Sequence, residues 1–244
     1  MHVEWLPQVD STNAELARRA ARAELDDFTV LVTDDQVAGR GRQGRVWTAP
    51  PGATIAVSIF LRPGAGTAWL SLLAGLAMTR AVRGLIPDGV DRAALKWPND
   101  VLVDGLKISG LLGELAGDGA IMGAGLNVRM TADQLPVSTA TSLVLAGADD
   151  SDDLPSRALE AYLTEFERAW RSFERSLFDV DAGLHSAVSA ACGTLGREVS
   201  VELPGGVARA GLAVALDRSG RLVVRDGRDE FAVAAGDVTH VRPR

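Results

Sequence analysis

Val101-Leu102-Val103-Asp104-Gly105-Leu106-Lys107-Ile108 is two β-prone runs joined by a two-residue Asp-Gly turn, a strong hairpin signature. Residues 109–116 extend the second run, Asp118-Gly119 turns the chain, and 120–128 makes a third. Three adjacent short strands with tight turns predict an antiparallel sheet.

Working outward, residues 10–25 read as a helix with N-cap candidates Asp10, Ser11 and Thr12, followed by Ala14, Leu16, Ala17, Ala20 and Ala21 at helical spacing. A β-branched run at 28–33 and another at 53–61, after the turn Pro50-Pro51-Gly52, predict strands. Residues 70–85 are apolar almost all round, which predicts a buried helix ending near Pro87-Asp88-Gly89. An acidic loop at 149–153 precedes a helix opened by Pro155 and running to about Leu177, with Leu159, Leu163, Phe166, Ala169, Trp170 and Phe173 on one stripe. From Gly196 the texture changes to short β runs around Val199, Leu212, Leu222 and Phe231, separated by turns such as Pro204-Gly205-Gly206. This predicts a small β-barrel as a second domain, 193–244, after a larger domain, 1–192. Strands and helices without a βαβ rhythm make the larger part α+β.

The chain has 244 residues, 47% hydrophobic and 23% charged, the composition of an ordinary soluble globular protein. A formal charge of −7 argues against broad nucleic-acid binding. The start carries no signal-peptide pattern and no run reads as a membrane span, so a cytoplasmic location is expected. A single cysteine, Cys192, excludes an intrachain disulfide, and three dispersed histidines (His2, His185, His240) argue against a zinc cluster or a Ser-His-Asp triad. Of the 25 basic residues only Lys96 and Lys107 are lysines, eleven residues apart. An Arg-biased genome accounts for most of that imbalance. Their shared location points to positions that need a compact ammonium charge, for which a planar guanidinium is a poor substitute.

Gly39, Gly41 and Gly44 satisfy the dinucleotide pattern G-x-G-x-x-G, but Val46-Trp47-Thr48-Ala49-Pro50-Pro51 follows and cannot open the helix that pattern requires. Neither lysine follows a glycine, so a Walker motif is absent too. What remains is Arg40, Arg42 and Arg45 spaced by glycines, either an anion-binding loop that an anion would order or a solvated basic loop. Lys96-Trp97-Pro98-Asn99-Asp100 reads alone as a structural turn, with Trp97 in the core and Asp100 solvated. Strand alternation puts Lys107 opposite Leu106 and Ile108, where it needs an anion if it faces a cavity. Ser11-Thr12-Asn13 is a helix cap or a polar set for a small neutral head group. Gly123 and Gly125 within a strand mark a bulge or a close backbone approach.

In this order the segments resemble the biotin protein ligases, or holocarboxylase synthetases, over the whole chain. The resemblance rests on Ser11-Thr12-Asn13, Gln36, residues 39–45, Trp47, residues 96–100, Lys107 with Ser109-Gly110-Leu111-Leu112, residues 123–127 and the β-rich tail. It implies a catalytic domain like that of class II aminoacyl-tRNA synthetases, with a mixed, largely antiparallel sheet, and an SH3-like C-terminal domain. It implies ATP-dependent conversion of biotin to biotinyl-5′-AMP and transfer to a lysine of a biotin carboxyl carrier protein, or of the biotin domain of a carboxylase. Mg²⁺ would sit on the triphosphate. By position, Ser11, Thr12, Asn13 and Gln36 would bind the ureido ring. Gly39, Arg40, Gly41 and Arg42 would close over biotin, and Gly110, Leu112, Gly123 and Gly125 would wall its pocket. Arg42, Arg45, Trp47, Asn99 and Asn127 would face ATP. Lys107 would bridge the biotin carboxylate and the α-phosphate, with Lys107 and Arg42 carrying catalysis. A monomer or homodimer is expected, with neither nucleic acid nor membrane as partner.

Two departures stand out. Gln43 occupies a position where many members have a basic residue, and Ser11 lies too near the start for the DNA-binding winged helix of bifunctional members, so repressor activity is not implied. No residue suggests itself as general base for the acceptor amine. Three other readings stay open at this level: a lipoate ligase or octanoyltransferase on the same fold, a nucleic-acid module using the arginine loop, and a non-catalytic binding protein.

Overall fold

The computed structural model describes residues 2–203, 207–234 and 237–240. In chain order it runs β1 (His2–Trp5), α1 (Thr12–Ala20), β2 (Thr29–Thr33), a small hairpin of β3 (Gly39–Arg40) and β4 (Val46–Trp47), β5 (Thr54–Leu61), α2 (Leu70–Leu85) and α3 (Gly89–Arg92). Then come β6 (Ala93–Lys96), β7 (Asp100–Val103), β8 (Leu106–Ala116), β9 (Gly119–Asn127), α4 (Leu154–Arg175) and α5 (Leu184–Ala191). The last five strands are β10 (Glu198–Leu203), β11 (Val207–Leu216), β12 (Leu222–Asp226), β13 (Asp229–Val233) and β14 (Asp237–His240).

Seven strands form one sheet in the order β1-β2-β5-β9-β8-β7-β6, parallel only at β1–β2. The Asp-Gly hairpin is as predicted, with φ of 52° at Asp104 and 80° at Gly105, the positive values a type I′ turn needs. The next turn falls one residue early, on Gly117 and Asp118, because Gly117 takes the left-handed φ of 60° and Gly119 already pairs with Ala116.

Alternation along β5 and β9 divides the side chains between two faces. Val57, Ile59, Met122, Ala124 and Leu126 join the main core with α2 and α4. Phe60 and Ile121 face the other way, into a small cluster with Leu31 and Leu16 of α1. α1 is shorter than predicted. Residues 21–24 are exposed, and without burial short helices do not propagate.

The segment 64–85 has the length and a mean hydropathy of 1.2 that would suit a membrane span, so the expectation that no stretch approaches one is corrected. In the fold 72% of that window is buried, and α2 packs against α4 and the sheet as a core helix.

The C-terminal strands form a five-stranded antiparallel sheet, β13-β12-β11-β10-β14; the Pro204-Gly205-Gly206 turn lies outside the described residues. Val199, Val201, Leu222 and Val224 continue the main core. Trp97, 1% exposed, ties the sheets together: its indole N–H donates to the Gly220 carbonyl (2.9 Å) and its backbone N–H to Thr194 Oγ1 (3.0 Å). His240 Nε2 lies 3.1 Å from the same hydroxyl.

Burial, then the positive charges of Lys96 and Arg197, push the His240 pKa from 6.5 down to about 4. A histidine held neutral in the fold takes its proton less readily than the unfolded chain does. Its contribution is therefore present above about pH 6.5 and shrinks as pH falls towards about 4. Between about pH 7 and pH 5 the wild type should lose more stability than His240→Gln, as read from urea midpoints.

Candidate functional site

A cavity of about 300 Å³ opens on the α1 face of the large sheet, between the start of α1, the β3–β4 hairpin and the β7–β8 strands. Its composition follows from a bulge. Lys107 pairs with Leu102 but Ser109 pairs with Val101, so β8 carries one extra residue there, which shifts the side-chain phase. Lys107, Gly110 and Leu112 thus face the cavity, while Ile108 is fully buried in the core and Ser109 donates to the Gly125 carbonyl at 2.7 Å. Leu106, expected on the apolar side with Ile108, is 36% exposed at the turn instead.

One end of the cavity is polar and buried. Ser11, Thr12 and Asn13 are 4%, 3% and 5% exposed, and Ser11 also caps α1 by accepting from the Ala14 N–H. The cap and the polar-set readings of these residues therefore coexist. Gln36 Oε1 accepts the Thr12 backbone N–H at 3.0 Å and lies 3.3 Å from its hydroxyl. Fully buried Ser58 donates to Asn13 Oδ1 (2.6 Å), with Thr12 Oγ1 at 2.7 Å. A Cβ at Gly123 would stand 2.2 Å from Asn13 Oδ1, so the missing side chain is what admits the amide.

The other end is cationic. Lys107 Nζ pairs with Asp100 at 2.7 Å and lies 5.8 Å from the centre of the Trp47 ring. Arg42 donates to Asn99 Oδ1 (2.8 Å), and Asn99 in turn donates to the Leu111 carbonyl (2.8 Å). Burial lowers the Arg42 pKa, though a guanidinium keeps its charge at any physiological pH. Burial also lowers the Lys96 pKa, opposed by Asp100 and reinforced by Lys107 and Arg45. Several cations around one cavity, with Asp100 the carboxylate among its lining residues, favour an anionic guest.

Trp47 lies across the paired glycines Gly110 and Gly125. A Cβ would come within 3.2 Å of the ring at Gly110 and 2.6 Å at Gly125. Its indole N–H is buried without a partner, a donor available to a bound acceptor. The segment 39–45, read from sequence as a loop, is a short hairpin. Gly39 pairs with Trp47 and Arg40 with Val46, and a tight turn runs through Gln43 (φ 57°) and Gly44 (φ 74°).

Of the residues predicted for the site, all but two line this cavity. Gly39 stands behind it, where a Cβ would strike the Trp47 carbonyl and the Gln36 amide. Asn127 is also outside it: 4% exposed, it donates to the Thr141 carbonyl at 2.9 Å, so its amide is engaged in holding that loop. Lys96 and Asp100 line the cavity and were not assigned to it from sequence. The lysine scarcity was the signal for the first; the second stood in the same 96–100 motif but was expected to be solvated, whereas it is partly buried and pairs with Lys107. Ser58 and Glu114, which hold Asn13, carried no motif at all. Among the described residues no group of three or more His, Cys, Asp or Glu side chains could hold a metal ion.

Residues 5–128 match the Biotin/lipoate A/B protein ligase family, and 194–241 match the Biotin protein ligase C terminal domain. The biotin–[acetyl-CoA-carboxylase] ligase of Mycobacterium tuberculosis is 39% identical, over 98% of this chain and 89% of that one. This chain belongs to the biotin protein ligases. Another member, the Paracoccus denitrificans biotin–[acetyl-CoA-carboxylase] ligase, is 32% identical over 96% of this chain and 98% of its own. The Aquifex aeolicus biotin protein ligase, solved in complex with biotin and ATP, superimposes with a TM-score of 0.81 at 28% identity, covering 99% of both chains.

In this biotin protein ligase the Trp47 ring leaves no room above Gly125. Gly125→Val should lift the indole off the sheet at a cost of about 1–3 kcal/mol. Tryptophan emission should shift to the red, and the shift should vanish in a Trp47→Phe background.

Proposed function

We propose that this chain activates biotin with ATP, forming biotinyl-5′-AMP, and then joins biotin to a lysine of a biotin carboxyl carrier protein or carboxylase biotin domain. The observation that carries this reading is the position of Lys107. Its ammonium lies on the cavity floor beside Trp47, in the same cavity as the buried polar cluster at the start of α1 and as Arg42.

The chemistry sets the requirement. A carboxylate oxygen of biotin attacks the α-phosphorus of ATP, the new O–P bond forms, and pyrophosphate leaves. An acceptor amine then attacks the acyl carbon and AMP leaves. Two anions must approach in the first step, so positioned cations and exclusion of water are the main means of acceleration. Lys107 is assigned to the junction of carboxylate and α-phosphate, Arg42 to the phosphate, and Arg40 and Gly41 to the cover. Trp47, with its unpaired N–H, and Arg45 and Asn99 are assigned to the nucleotide. Ser11, Asn13 and Gln36 are assigned to the ureido ring: Gln36 keeps its Nε2 donors and Asn13 an acceptor lone pair, complementary to a cyclic urea.

Mg²⁺ would accompany the triphosphate and supply charge neutralisation there. The boundary near 192/193, a class II synthetase-like catalytic unit, an SH3-like C-terminal unit and a cytoplasmic location complete the proposal. A lipoate ligase would have less use for the Ser11, Asn13 and Gln36 set, and competition between biotin and lipoate separates the two.

The deciding experiment is biotin-dependent exchange between ATP and labelled pyrophosphate. Wild-type protein should catalyse it, and Lys107→Ala should reduce it about 10²- to 10³-fold, the usual cost of one stabilising donor. Exchange at the wild-type rate would remove the assignment of Lys107. The arginines of the β3–β4 hairpin should also become protected from trypsin when biotin and ATP are both present, through ordering over the ligands.

A further inference from the structure

We infer that Glu114 is a specificity-determining positioning residue: it fixes which way the Asn13 amide faces and so whether the head-group pocket offers an acceptor or a donor. The inference rests on the biotin reading above and deepens it.

An amide group can occupy its site in two orientations of nearly equal shape, with O and N exchanged. Gly123 settles where the Asn13 amide lies, since any side chain there would collide with it. Ser58 cannot settle its orientation, because a hydroxyl donates or accepts equally well. Glu114 can. Its carboxylate only accepts, and Glu114 Oε2 lies 2.6 Å from Asn13 Nδ2. The Leu112 carbonyl, at 3.2 Å from the same nitrogen, makes the same demand more weakly. Nδ2 is then taken up by the Glu114 carboxylate and the Leu112 carbonyl. Oδ1 accepts from Ser58 at 2.6 Å and keeps one lone pair. Asn13 therefore presents an acceptor and no donor, which suits a ureido N–H and repels a flipped or carbonyl-only head group.

The register of β8 explains why Glu114 can do this. Leu112 pairs with Gly123 and Glu114 with Ile121, so Glu114 is two residues beyond Leu112 on the same face, beside α1. It acts through Asn13 and is not itself among the residues lining the cavity.

The test uses the full chain and three variants. Glu114→Met keeps the volume without an acceptor, Glu114→Ala removes the side chain, and Glu114→Gln keeps a carbonyl oxygen that can take the same N–H. In pyrophosphate exchange, Met and Ala should raise the KM for biotin about tenfold, the usual loss for one hydrogen bond to a charged group. The KM for ATP and kcat should stay within about twofold, and Gln should restore most of the biotin affinity. Should one of the Met and Ala variants fail to fold, the other gives the same reading. An unchanged biotin KM, or a joint rise in both KM values that Gln does not relieve, overturns the inference. Failure of the wild type to support any biotin-dependent exchange would instead overturn the proposed function.

Discussion

The phase of side chains along β8 is the constraint from which the cavity follows, and one additional residue opposite Val101 and Leu102 sets it. A strand without that bulge would place Ser109 and Leu111 beside Lys107. With it, the cavity side of β8 is Lys107, Gly110, Leu112 and Glu114, and the core side keeps Ile108 and Leu111. The bulge thus reconciles two demands that strict alternation sets against each other: a continuous hydrophobic seam under α2, and an ammonium group above two glycines. Bulges beside functional sites commonly re-aim a side chain in this way.

The glycines complete the arrangement by subtraction. Gly110 and Gly125 face each other across β8 and β9 and leave a bare patch that the Trp47 ring fills, while Gly123 leaves one for Asn13. Both guests come from segments near the N-terminus, so the sheet serves as a template that the start of α1 and the β3–β4 hairpin read by shape. Behind it, Trp97 bonds to Gly220 and Thr194, which couples the 96–100 segment to the five-stranded sheet.

Much of the fold could be read from short-range chemistry. The Asp104-Gly105 turn, the all-round apolar pattern of 70–85 and the Pro155 helix start are local signals, and each appears where its physics requires. The boundary of α1 and the bulge in β8 were not legible, because burial and cross-strand pairing decide them. The same split holds at the site. Lys107, Arg42 and the α1 polar cluster sit in dense motifs and converge on one cavity. Asn127, from an equally dense motif, turns its amide to the Thr141 carbonyl. Ser58 and Glu114 are common residue types in ordinary surroundings, and only the folded register brings them to their partners.

Both lysines of the chain line the cavity, and every other basic side chain is a guanidinium. Acyl adenylates acylate unprotonated amines, and a guanidinium, protonated at any physiological pH, is a poor nucleophile towards them. An activated acyl group that escapes from the pocket therefore meets no side-chain amine on the outer surface of its own chain. The scarcity that first marked two positions for attention thus also leaves few side-chain amines open to self-labelling.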